Sequence, residues 1–175
     1  MTERMAFAHE MSIKGASDDW LTPPYILNAL GPFDLDPCAS LRQTWPTARV
    51  MLTQVENGLT AEWNGRVWLN PPYGSVGRWL SRLAGHGDGI ALTYARTETA
   101  AFTNFVWPKA AALMFLFGRV AFYRPGSVHA TSGPAPSVLI AYGEQNAQAL
   151  LRSGLQGAVI RVVESTAPSG SGFVE

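Results

Sequence analysis

Val67-Trp68-Leu69-Asn70-Pro71-Pro72-Tyr73-Gly74 sets an amide, two prolines and an aromatic ring directly after a short apolar strand. At the strand exit, Asn70 can offer its side-chain oxygen to one hydrogen of an exocyclic amine. The carbonyl of Pro71, a residue with no N–H of its own, can face the other hydrogen. Tyr73 can stack on the ring that carries the amine. With both hydrogens drawn into acceptors, the nitrogen lone pair points away toward a methyl donor, as suits a base turned out of a nucleic-acid stack. The chemistry implied is N-methylation of a base. A rigid strand-exit turn is the plain alternative, because Asn, Pro and Gly are turn formers.

Outward from this run, strands and helices alternate. Thr22 and Pro23 read as a helix cap and first turn, and Tyr25, Ile26, Leu27, Ala29 and Leu30 make a short helix that Gly31-Pro32 stops. Phe33 to Asp36 reads as a strand ending in carboxylates, and Val50 to Leu52 as a second strand. After Gly74-Ser75, Val76, Trp79, Leu80 and Leu83 recur at helical spacing until Gly85 and Gly87. Strand Gly89 to Tyr94, a helix from Glu98 to Val106 and strand Ala111 to Phe117 follow. Arg119 to Tyr123 and Ser137 to Tyr142 read as an antiparallel hairpin, because their connection is too short for a crossover helix. A helix from Glu144 to Arg152 and a strand from Ala158 to Val163 close the pattern. The expectation is an α/β fold with a mostly parallel central sheet and an antiparallel hairpin near its C-terminal end.

The length of 175 residues suits one domain, read as 20–164, between a loose arm at 1–19 and a flexible tail at 165–175. Thirteen basic and thirteen acidic residues balance, so no global positive field advertises nucleic acid, and contact with it would rest on a local basic rim. The single cysteine, Cys38, excludes an internal disulfide, and no apolar run is long enough to span a bilayer; a soluble cytoplasmic protein is expected. One cysteine and three scattered histidines supply no structural metal site.

Asp34 and Asp36 stand two residues apart at the end of the first strand. Asp36, at the carboxyl end, is the better candidate for a ligand contact, since ligands of open α/β sheets bind there. Trp63, Trp68 and Trp79 read as core. Arg96, Arg119 and Arg124 are candidates for contact with DNA, against the ordinary reading of solvated loop arginines. The loop from Arg124 to Pro136 is the natural segment to approach DNA, as no separate recognition domain is present.

These motifs together resemble those of phage-type DNA N6-adenine methyltransferases, a small Dam-like family of bacteriophages and prophages within the class I S-adenosylmethionine-dependent methyltransferases. The resemblance runs through Asp19-Trp20-Leu21-Thr22-Pro23, Phe33-Asp34-Leu35-Asp36-Pro37-Cys38-Ala39, Asn57-Gly58-Leu59, Trp63, Asn70 to Gly74, Ala95 to Thr99 and Gly118 to Phe122. It implies a Rossmann-like sheet, S-adenosylmethionine as donor and double-stranded DNA as partner. Asn70, Pro71, Pro72 and Tyr73 would be the catalytic set. Asp36, Pro37 and Cys38 would meet the methionine part of the cofactor, Asp34 would be a further cofactor contact or a cap of the following loop, and Asn57 would meet the adenine end, though Glu56 could serve instead. Trp20, Thr22 and Pro23 could form a lid, or simply a buried tryptophan and a helix start. The same clamp serves N4-cytosine, RNA and protein-amide methyltransferases, and an inactive DNA-binding or virion-associated protein is a further alternative. Target sequence and oligomeric state are not written in these motifs.

Overall fold

The computed structural model describes residues 19–163, so the expected arm, apart from Asp19, and the expected tail lie outside the described residues. Helix α1 (Pro24–Leu30) begins on Pro24, whose fixed φ suits a first turn, and buries Ile26, Leu27 and Leu30. Thr22 does not cap it. With prolines at both 23 and 24, the cap position falls on Pro23, and no side chain among the described residues caps the helix. Strands β1 (Leu35–Asp36), β2 (Val50–Met51) and β3 (Val67–Leu69) follow. A 3₁₀ turn, Tyr73–Ser75, leads into α2 (Val76–His86), which buries Trp79, Leu80 and Leu83. Gly87, not Gly85, ends α2: its left-handed φ of 79° lets its amide close on the Leu83 carbonyl.

Next come β4 (Gly89–Tyr94), a π-helical segment (Phe102–Val106), β5 (Ala112–Leu116), β6 (Ala121–Tyr123), β7 (Ala130–Ser132), β8 (Ser137–Tyr142), α3 (Glu144–Arg152) and β9 (Gly157–Arg161). The helix expected from Glu98 forms late and with wide turns, the Trp107 amide reaching back to the Phe102 carbonyl at 3.0 Å. No described helix is long and apolar enough to cross a membrane.

A seven-stranded sheet takes the order β2-β1-β3-β4-β8-β5-β9. The β2, β1, β3 and β4 neighbours pair in parallel, while β8 is antiparallel to both β4 and β5 and β9 is antiparallel to β5. The sheet is therefore mostly parallel in strand direction, with β8 and β9 reversed. The expected hairpin does not form. Every residue of β8 is buried, as befits a central strand, and it inserts between β4 and β5. β6 pairs instead with β7 in a separate two-stranded sheet, and β7 is a fully exposed Ala-Thr-Ser strand without the apolar alternation that announces one. Apolar side chains fill both faces of the large sheet, one layer around Ile26, Trp68, Leu92 and Leu139, the other around Leu69, Leu80, Leu113 and Ile140.

At the amino edge of the parallel strands, Asn146 of α3 ties the layers together. It is fully buried, accepts from Arg66 Nε at 2.6 Å and donates to the Asp88 carboxylate and the Tyr142 carbonyl, each at 2.7 Å. Replacing Asn146 by alanine removes these three hydrogen bonds, leaving the Tyr142 carbonyl buried and the Arg66 and Asp88 groups half-buried without this partner. N146A is expected to lose about 2–3 kcal/mol of unfolding free energy, measured by the shift in denaturant midpoint at unchanged slope.

Candidate active site

Strand β1 hands the chain on toward β2, on one side of it in the sheet, whereas β3 hands it toward β4 on the other. A crevice opens between the two strand ends, as at any such switch point. Asp36, Cys38, Ala39 and Ser40 line it from β1, and Asn70 to Tyr73 from β3. The Cys38 thiol stitches the two loops by donating to the Asn70 carbonyl at 3.4 Å. Trp20, Leu21, Thr22, Gln43 and Thr47 also line it.

The orientation of Asn70 is set within this crevice. Its Nδ2 donates to the Trp20 carbonyl at 2.6 Å, and its Oδ1 accepts no hydrogen bond among the described residues. The Pro72 carbonyl is taken by the Ser75 amide at 3.1 Å, which builds the 3₁₀ turn; the Pro71 carbonyl accepts none among the described residues. The loop thus offers two neighbouring acceptors. Tyr73, half-buried, stacks on Tyr94 with ring centroids 3.8 Å apart and planes 10° from parallel. Tyr94 ends β4, which runs parallel to β3, so the two rings leave the sheet at the same edge. Sequence reading overlooked Tyr94 because only strand pairing brings it beside Tyr73.

Asp36 is 3% exposed. Burial pushes its carboxyl up to about 6, against the lowering pull of the Thr47 hydroxyl on Oδ2 and the Cys38 amide, 3.0 Å from Oδ1. Burial, and then the charge of Asp36, push the Cys38 thiol well above its usual value, so Cys38 is a neutral donor and not a nucleophile.

Beyond Cys38 to Ser40 the crevice continues into a cavity of about 250 Å³, bounded by Asp19, Pro37, Leu41, Thr53, Gln54, Asn57, Gly58, Pro72 and Trp79. Its wall from 57 to 63 is pinned from outside. The Arg82 guanidinium donates to the carbonyls of Leu59 and Ala61, and the Trp63 indole N–H donates to the Gly58 carbonyl at 2.8 Å. Gly58 lies so close to the Pro37 backbone that an added Cβ would stand 1.7 Å from its oxygen; only glycine permits this approach. Asn57 is exposed at the rim, with φ of 51°. Glu56 turns away, its carboxylate accepting from the Thr53 amide and hydroxyl, both at 2.7 Å.

A family model described as DNA N-6-adenine-methyltransferase (Dam) matches residues 10–153, which span both strand-end loops and the cavity wall. The chain belongs to this Dam family. Searches of curated proteins and of solved structures gave no match. The Dam assignment carries DNA N6-adenine methylation as the activity and DNA as the substrate.

The fold gathers most of the expected site residues and leaves some apart. Trp20, Thr22, Asp36, Cys38 and Asn70 to Tyr73 share the crevice, while Pro37 and Asn57 line the adjoining cavity. Asp34 is not brought there. It lies at the amino end of β1, where its carboxylate accepts from the Arg66 amide at 2.9 Å and pairs with Arg49 at 3.6 Å. Pro23 serves α1 and lines neither space. Arg96 is exposed beside Tyr94 on a separate apolar cavity, and Arg119 is exposed ahead of β6. Arg124 holds its guanidinium 3.6 Å from the centroid of the Trp20 ring. Asp19, Gln43 and Thr47 join the crevice unannounced, although Asp19 opens a motif already noted. No group of three His, Cys, Asp or Glu side chains among the described residues could hold a metal ion.

The raised Asp36 value has a consequence for stability. The folded state holds this proton more tightly than the unfolded chain, so the group's contribution is complete below the ordinary value of 3.8 and is lost as pH rises to about 6. The loss is on the order of 3 kcal/mol. D36N keeps partners for both Thr47 and Cys38 without the charge. Denaturant unfolding is expected to show native stability falling relative to D36N across this window, with D36N the more stable at neutral pH.

Proposed function

We propose that this protein moves a methyl group from S-adenosylmethionine to N6 of an adenine turned out of double-stranded DNA into the Asn70–Tyr73 clamp, on a Rossmann-like methyltransferase sheet. One observation carries the reading: the Asn70 amide is tied by its nitrogen to Trp20, so its oxygen, with the Pro71 carbonyl, forms a pair of acceptors matched to the two hydrogens of an amino group. The switch point between β1 and β3 supports the sheet assignment.

The residues present fit the donor. The cavity has apolar walls in Pro37, Leu41 and Trp79 and polar edges in Asp19, Thr53, Gln54 and Asn57, the mixture that an adenosine moiety requires. Gln43 and Trp68, which line the crevice, each carry a buried N–H without an acceptor among the described residues, the kind of group that a carboxylate satisfies. Asp36, ionised at neutral pH, supplies a buried negative charge for a cationic ligand. Bound there, S-adenosylmethionine supplies an electrophilic methyl group.

The protein's own work is alignment. Asn70 Oδ1 and the Pro71 carbonyl hold the N6 hydrogens and turn the nitrogen lone pair toward the methyl group. Tyr73 holds the purine ring, and the lid from Trp20 to Thr22 excludes water. The nitrogen loses its proton after attack, so no side-chain base is required.

N70A is expected to lose most of the single-turnover methyl-transfer rate while still binding DNA. Y73A should lose about 1–3 kcal/mol of base stacking and Y73F far less. Rapid-quench assays on adenine-containing duplexes, with analysis of the modified nucleoside, measure both. A native rate in folded N70A, or a product other than N6-methyladenine, overturns the reading. Calorimetry adds a second check: affinity for S-adenosylmethionine should rise as pH climbs through about 6, weaken in D36A more than DNA affinity does, and lose its pH dependence in D36N. Equal affinity for native and D36A removes Asp36 from the cofactor site.

A further inference from the structure

The β6–β7 hairpin stands outside the large sheet and grips the segment that leads into α1. Leu21 and Tyr123 exchange two main-chain hydrogen bonds, the Leu21 amide to the Tyr123 carbonyl at 2.9 Å and the reverse at 3.1 Å. The adjacent Trp20 ring meets Phe122 edge-on, with centroids 5.8 Å apart, and Arg124 over its face. Trp45 braces the same segment, its indole N–H donating to the Thr22 carbonyl at 3.0 Å while its ring abuts Tyr123 at 5.2 Å. Within this grip lies the Trp20 carbonyl that receives Asn70.

The terminal torsion of an asparagine is broad and roughly two-fold, so little in the side chain itself decides which of its oxygen and nitrogen faces a ligand. The Trp20 carbonyl decides it, because it attracts the NH₂ group and repels the amide oxygen. Turned the other way, Asn70 would meet an amino group with donors facing donors. The orientation that matters for the clamp is therefore imposed by an element about fifty residues beyond it in sequence, not by β3.

We propose that the β6–β7 hairpin is the positioning element of the clamp, acting through Trp20 and Arg124 to hold the Asn70 amide with its oxygen toward the substrate. This rests on the clamp reading above. Arg124 and Trp20 touch no reacting atom in this role; Arg124 stiffens Trp20 by its cation–π contact, and Trp20 orients Asn70.

The test compares the native protein, R124A and R124K by single-turnover methyl transfer at saturating duplex DNA and S-adenosylmethionine. Water exchange of the Asn70 side-chain amide, identified in ¹⁵N-edited spectra by its loss in N70A, is followed in parallel. R124A is expected to fold, to bind S-adenosylmethionine as the native protein does, to lose roughly tenfold or more in the saturated rate and to exchange its Asn70 amide faster. R124K, which keeps a cation over the indole, should recover most of both. An unchanged saturated rate with weaker DNA binding makes Arg124 a phosphate contact and overturns the proposal, as does unaltered amide exchange in R124A. If the native protein does not methylate adenine, the clamp reading falls on that result alone, while the exchange measurement still decides whether the hairpin orients Asn70.

Discussion

The parallel pairing of β1 with β3 is the constraint from which the site follows. Leu35 aligns with Val67, and the Asp34 amide meets the Arg66 carbonyl at 2.7 Å, so both strands run out at one edge of the sheet. Because β2 and β4 flank them on opposite sides, the outgoing chains separate and leave room between Cys38 and Asn70. The single sulfur-to-carbonyl contact across that gap keeps the loops in register without filling it. A two-residue strand such as β1 contributes little ladder energy itself; its place depends on the buried side chains of Phe33 and Leu35 on the two faces of the sheet.

Within the crevice, polar groups occur where burial makes them expensive. Asp36 is a buried ionisable side chain, and its two hydrogen bonds offset only part of the cost of burial. A fold selected for stability alone would not keep it. A site for a cationic ligand gains from it, since a buried charge acts at low local dielectric where surface charges are screened. The balanced net charge of the chain is consistent with this economy, in which attraction is local and not a field over the whole surface.

Aromatic contacts divide the labour around the clamp. Trp20, Trp45, Phe122 and Tyr123 lock the lid segment to the small sheet, and Tyr73 and Tyr94 stack where β3 and β4 end. Trp63 and Trp79 stand nearly parallel, with centroids 6.4 Å apart, behind the wall of the larger cavity. Trp79 belongs to the core stripe of α2 and also lines that cavity, so one residue serves packing and site.

The local chemistry of Asn70 to Tyr73, the strands Val67–Leu69, Gly89–Tyr94 and Ser137–Tyr142, and helix Glu144–Arg152 were legible from residue order. Each depends on near-neighbour properties: proline's missing donor, apolar runs, helical spacing and glycine stops. Partner choice among strands was not legible, and the expected hairpin failed for that reason. Ser137 to Tyr142 could pair with any apolar strand, and burial on both faces sent it to the centre of the sheet beside β4. Asp36 was preferred to Asp34 for its place at the carboxyl end, and only Asp36 reaches the crevice, because the carboxyl edge lies beyond β1 and the Arg66 backbone holds Asp34 behind it. Tyr94 and the Trp20 carbonyl were out of reach altogether. One is brought to Tyr73 by sheet register and the other to Asn70 by a main-chain bridge to Tyr123, and contacts between segments so distant in the chain leave no period or spacing in the sequence to be read.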